Sequence, residues 1–217
     1  MTARTVGKLL ALCLVIVLLG STVVFAQEGT TSATVTVGGQ AISGDTDSSR
    51  FEQYEEWPEG VMLFDAAFDW NGSRGFYINF DTTSPSYQDN SYFMRWGKKG
   101  MFKLDLTWDE NPRYFSNKAR SFWGQVQPAV FNYLNGEVAP VDLRYVRQTG
   151  GMKFNYSGLE DWDFNFAYTH ETRDGRQGYM AEARVSPAAP PLTTLMVEFA
   201  SPVDYRTQNY NASVNWA

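Results

Sequence analysis

Tyr92 to Trp123, YFMRWGKKGMFKLDLTWDENPRYFSNKARSFW, is the stretch whose reading decides the fold. From Met101 to Asp109 it alternates without a break: Phe102, Leu104, Leu106 and Trp108 fall on one side, and Met101, Lys103, Asp105, Thr107 and Asp109 on the other. Successive side chains of a strand point to opposite faces, so this segment has one oily face and one charged face. It reads as a strand between two different solvents. Just before it, Tyr92, Met94 and Trp96 oppose Arg95, and the short Gly97-Lys98-Lys99-Gly100 turn joins the two runs into a hairpin. After Asp109 the period breaks at Asn111-Pro112, which predicts a long loop to Pro140.

The same pattern repeats outward in both directions. Upstream, Met62, Phe64, Ala66, Phe68 and Trp70 share one side of Val61 to Trp70, with Asp65 and Asp69 on the other, and Phe76, Ile78 and Phe80 return after the Asn71-Gly72 turn. Thr34 to Ile42 reads either as a first strand or as a flexible tether. Downstream, a strand region from Leu143 runs through Gly150-Gly151, a candidate bulge or bend, to Tyr156, and Trp162, Phe164, Phe166 and Tyr168 alternate with polar residues. Arg173-Asp174-Gly175-Arg176 reads as a charged turn and Ser201 to Tyr205 as another, with Tyr179 to Val185, Leu195 to Phe199 and Tyr210 to Trp216 as further strands.

Composition narrows the class. Aromatics make up 16% of the 217 residues, yet the mean hydropathy is only −0.36, a balance that alternating amphipathic strands produce and membrane helices do not. Arg4 and Lys8 precede the apolar run Leu9 to Leu19, and Val24-Phe25-Ala26 ends in a small residue, so residues 1–26 read as a secretory signal; the run is short for a membrane anchor. The only cysteine, Cys13, lies inside it, which leaves the mature chain 27–217 with no disulfide, no thiolate metal site and no means of attaching a c-type haem itself. Losing Arg4 and Lys8 takes the net charge from −6 to −8, a poor balance for a nucleic-acid partner.

Sites for chemistry are sparse. Asp45, Asp47 and Ser48 hint at a calcium loop but lack the bidentate Glu of an EF-hand. Asp65 and Asp69 lie four apart on one strand face, the spacing of solvated charge more than of a general acid and base. His170, the only histidine, is the residue a barrel hydrolase would need, and no nucleophile motif accompanies it. No enzyme, cofactor-binding or metal site is expected.

About nine or ten short strands without an apolar helical stripe give an all-β fold. A soluble β-sandwich also alternates, but its buried face favours Val, Ile and Leu, whereas these faces are dominated by Phe, Trp, Tyr and Met, as in the aromatic girdles of membrane barrels. The fold class is therefore an antiparallel transmembrane β-barrel of the bacterial outer membrane. Asp65, Asp69, Lys103 and Asp105 are its candidate lumen-facing residues, and Phe64, Phe68, Trp70, Phe102, Leu104, Trp108, Trp162, Phe164 and Phe166 its candidate lipid-facing ones. Short connections at 71–73, 98–100 and 158–161 alternate with long ones at 44–60, 82–90 and 111–140, an alternation that fails after Arg173 on this reading.

Several pieces carry a family resemblance: Arg50-Phe51-Glu52-Gln53-Tyr54, the run Lys103 to Pro112 followed by Ser116 to Arg120, Trp162 leading to Arg173-Asp174-Gly175, and Ser201 to Thr207. In this order and spacing the sequence, over about residues 50 to 217, resembles the N-terminal part of the MtrB/PioB family of outer-membrane barrels that accompany decahaem cytochromes. The resemblance implies a scaffold without chemistry of its own, one that sheathes a periplasmic multihaem cytochrome so that electrons cross the outer membrane. The haem would belong to that partner, and an extracellular cytochrome is a second possible partner. Family barrels have well over about twenty strands, more than the nine or ten read here, so an incomplete N-terminal part of a larger barrel is expected; some members also carry an N-terminal cysteine pair, which is absent here. A complete small porin or adhesin is the alternative, with a barrel hydrolase third.

Overall fold

The computed structural model describes residues 29–43, 59–121, 123–127, 130–133, 138–184 and 194–216. Residues 1–26, read above as a signal, the Asp45 to Ser48 stretch and Arg50 to Tyr54 lie outside them. Ten strands run in chain order: β1 (Gly29–Gln40), β2 (Gly60–Gly72), β3 (Phe76–Thr83), β4 (Asn90–Lys98), β5 (Phe102–Ser121), β6 (Trp123–Gln127), β7 (Val130–Tyr133), β8 (Ala139–Leu159), β9 (Trp162–Arg184) and β10 (Thr194–Trp216). Eight form one antiparallel sheet in the order β1-β2-β3-β4-β5-β8-β9-β10, and β6 and β7 form a separate two-stranded ribbon within the β5–β8 connection. The sheet is open, with β1 and β10 at its edges.

The hairpin read from Tyr92 to Asp109 forms in register, with Tyr92 opposite Trp108 and Trp96 opposite Leu104. Its turn uses a left-handed Gly100 (φ 71°), a conformation that costs glycine least, and the Met101 N–H closes it onto the Lys98 carbonyl at 3.0 Å. Neighbouring short turns are stitched together, since Lys99 N–H donates to the Gly75 carbonyl (2.9 Å) and Ser157 N–H to that of Met101 (2.8 Å). All three short turns therefore stand at one end of the sheet, and the longer connections stand at the other.

Four expectations are corrected. β5 does not end at Asn111-Pro112: it continues to Ser121, with fully buried Pro112 paired to Val146 and register shifts near Ser116 that scramble the period of two. Arg173 to Arg176 is no turn, nor is Ser201 to Tyr205. The two stretches lie opposite each other inside β9 and β10, Asp174 beside Asp204 and Gly175 beside Val203, so the alternation of short and long connections holds to the end of the described chain. Gly150-Gly151 makes no bulge: register with β5 is unbroken there, and Gly151 leaves room for Thr107, whose hydroxyl lies where a Cβ would stand, while a Cβ on Gly150 would only touch the Trp108 ring, at 3.5 Å. Of the two readings of the first segment the strand is realised, paired with β2 along its length.

Few apolar side chains are buried, Met62, Ala66, Phe68, Tyr114 and Val203 among them, while Trp96, Trp162 and Trp216 are 42%, 44% and 73% exposed. A soluble sandwich would cover such a face with a second layer. Among the described residues no second layer covers it.

Candidate functional site

Residues opposite one another in an antiparallel ladder share a face, so the register sorts the side chains into rows that cross the whole sheet. One row reads Thr31, Trp70, Ile78, Trp96, Leu104, Phe154, Phe166, Ala212, and the next reads Ala33, Phe68, Phe80, Met94, Leu106, Met152, Tyr168, Tyr210. Aromatic rings pack along these rows and their neighbours, Trp96 on Phe102 at 5.2 Å and Tyr168 on Tyr210 at 4.9 Å between centroids. Phe68, Trp70, Phe102, Leu104, Trp108, Trp162, Phe164 and Phe166 all belong to this apolar face. Phe64 stands apart. It sits at the bulge where β1 and β2 slip register, and its ring packs on Tyr87 of the β3–β4 loop.

The apolar band has a definite height. From Phe102 to Trp108 it covers about 20 Å along the strand at ~3.4 Å per residue. The next row on this face, Glu110, Gln148, Thr172 and Arg206, is polar and internally bonded, Gln148 Nε2 donating to Glu110 Oε2 at 3.0 Å. At the boundary His170 stacks on Tyr168 and lies 3.5 Å from Gln208, a place at the edge of the band.

The opposite face is polar. Asp65, Asp69, Lys103 and Asp105 all lie on it, and its central row reads Ser32, Asp69, Asn79, Arg95, Asp105, Lys153, Ala167, Asn211. Asn79 Nδ2 donates to Asp69 Oδ1 at 2.5 Å. Arg95 clasps Asp105 through two bonds, Nε to Oδ1 at 2.7 Å and Nη2 to Oδ2 at 3.0 Å, and its guanidinium rests over the Phe93 ring. One row on, Asn155 donates to Asn165. Asp65 and Asp69 stand two rows apart on β2, ~14 Å at ~3.4 Å per residue, and do not converge as an acid–base pair. Among the described residues no group of three or more His, Cys, Asp or Glu could hold a metal.

This polar face is concave. Asn71 of β2 and Asn215 of β10, near opposite margins of the sheet, line one cavity of about 760 Å³ together with Arg95, Lys103 and Asn165 from the strands between them. Sequence reasoning put Arg95 opposite the aromatic side but did not single it out. The signal was available, because Arg95 and Asp105 stand symmetrically about the Gly97–Gly100 turn. Asn79, Asn155 and Asn165 were missed although the same symmetry was available, Asp69 and Asn79 about the turn after Asn71-Gly72 and Asn155 and Asn165 about the 158–161 turn; Lys153 lies beside Asp105 only through the β5–β8 pairing, which no local pattern reveals.

A sheet apolar on its convex side and polar on its concave side is the wall of a membrane barrel, and the family model described as "Putative outer membrane beta-barrel porin, MtrB/PioB" matches residues 44–217. The chain belongs to the MtrB/PioB family. Membership agrees with the all-β antiparallel architecture and supports an outer-membrane location for the MtrB/PioB chain. No curated protein matches it.

Proposed function

We propose that this MtrB/PioB chain is a length of non-catalytic barrel wall that sheathes and positions a periplasmic multihaem c-type cytochrome, so that electrons cross the outer membrane. The observation that carries the reading is the division of one curved sheet into an apolar convex band and a concave face of amides, hydroxyls and internally paired charges. A chain of haems must be kept from lipid, and a wall whose central charges, Arg95 and Asp105, already pair with each other can lie against a folded protein there without stranding buried charge. The sole cysteine is Cys13, so haem attachment falls to the partner, and an extracellular cytochrome would complete the path.

Purification of the native protein from outer membranes in mild detergent tests this. A stoichiometric multihaem cytochrome in the haem absorption and among the co-purifying bands is the expected result. A haem-free protein that conducts ions in a planar bilayer overturns it and leaves a small porin, a reading favoured by one observation: the eight strands curl far enough for Asn71 and Asn215 to share a cavity.

A further inference from the structure

The short-turn mouth of the concave face is rich in cations in a chain of net charge −6. Arg95, Lys98, Lys99 and Lys103 line the cavity there against a single carboxylate, Asp163, and asparagines contribute from five positions. Arg95 is neutralised by Asp105. Lys98 turns its ammonium over the Phe76 ring at 5.3 Å, on the side of Phe102 and the apolar band, so Lys99 and Lys103 are the cavity's remaining cations, and neither makes an ion pair with a carboxylate among the described residues. The mouth thus keeps an excess of positive charge over Asp163, with amide N–H donors beside it. The backbone bond from Lys99 to Gly75 fixes the turn that presents these side chains.

A concave wall of low dielectric concentrates the field of such charges and raises the local concentration of counter-ions. Lysines act on phosphate as point charges, and asparagine amides add directional bonds. We propose that this mouth is an oxyanion-binding site that takes a soluble, doubly charged anion of the phosphate class. Lipid headgroups are unsuited as the source, because the cavity opens on the face opposite the apolar band. The site does not depend on a cytochrome filling the lumen.

Equilibrium dialysis of radiolabelled inorganic phosphate against the full chain, at low ionic strength in a neutral detergent, tests the proposal. Saturable binding is expected, weakened at least about ten-fold in K99Q/K103Q by loss of two charge-assisted contacts and retained in K99R/K103R. K153Q, on the same face but outside the cavity, should bind like the parent. Far-UV circular dichroism confirms that each variant keeps its strands. Absence of saturable binding by the parent chain, unchanged binding in K99Q/K103Q, or an equal loss in K153Q overturns the site.

Discussion

Arg95 and Asp105 occupy mirror positions of the β4–β5 hairpin, and the ion pair they make is the best-formed on the concave face. The Asp105 side chain is only 12% exposed against 39% for Arg95, so the two losses differ. Arg95→Ala leaves a nearly covered carboxylate with only the more distant lysines 103 and 153 to answer it, and costs about 1–3 kcal/mol. Asp105→Ala leaves a guanidinium that can reach water over Phe93 and costs less. Urea unfolding of the chain refolded into vesicles checks the order, and the R95A/D105A double-mutant cycle isolates the coupling. A larger loss for Asp105→Ala would mean that the pair is not held as described. Two residues along, Gly97 lies under the Tyr77 phenol, where an added Cβ would stand 2.5 Å from the Phe102 carbonyl oxygen and 2.7 Å from the Tyr77 hydroxyl. Gly97→Ala is therefore expected to destabilise by about 1–3 kcal/mol through overpacking, in the same unfolding assay.

At the scale of the strand, the apolar band gives substitutions a depth dependence. Leu104 lies inside the band and His170 at its edge, so Leu104→Arg should cost about 2–4 kcal/mol and His170→Arg about 0–1 kcal/mol. Equal costs would show that the convex face does not meet lipid. This band is also what the sequence made legible. Where lipid and lumen press on opposite faces, side chains must alternate, and Phe102 to Trp108 and Trp162 to Tyr168 do so without a break. Beyond the band that pressure ends. β2, β3 and β4 have 13, 8 and 9 residues, whereas β5, β8, β9 and β10 have 20, 21, 23 and 23 against the roughly 9–11 that a membrane requires. In the surplus, Asn111-Pro112, Arg173 to Arg176 and Ser201 to Tyr205 carry turn-like residues inside strands. Nothing in local composition shows that Asp174 will lie beside Asp204 or Pro112 beside Val146. Register between strands far apart in the chain decides those positions, which is also why Lys153, brought beside Asp105 by the β5–β8 pairing, escaped notice.

The whole sheet poses one geometrical question, which is what lies between its edges. Closed on itself, a barrel of about eight strands has an interior that its own side chains fill. It could hold no cytochrome, and β1 would then hydrogen-bond to β10. In a wider barrel further strands separate the two edges by many times the ~4.8 Å spacing of paired strands. Disulfides read this directly, because a bridge needs Cα atoms about 4.4–6.8 Å apart and residues 27–217 contain no cysteine to interfere. Cysteines at Ser32 or Thr34 of β1, combined in turn with cysteines at Asn209, Asn211 or Ser213 of β10, cover the registers in which the edges could meet. If the sheathing role is right, no combination forms a bridge in the native outer membrane under mild oxidation, while a control pair at opposed positions within the sheet, Asn165 and Ser213, does. A bridge between β1 and β10 would close the barrel at the size of the small porin and leave the phosphate-class site, but not a cytochrome, as the occupant of its concave face.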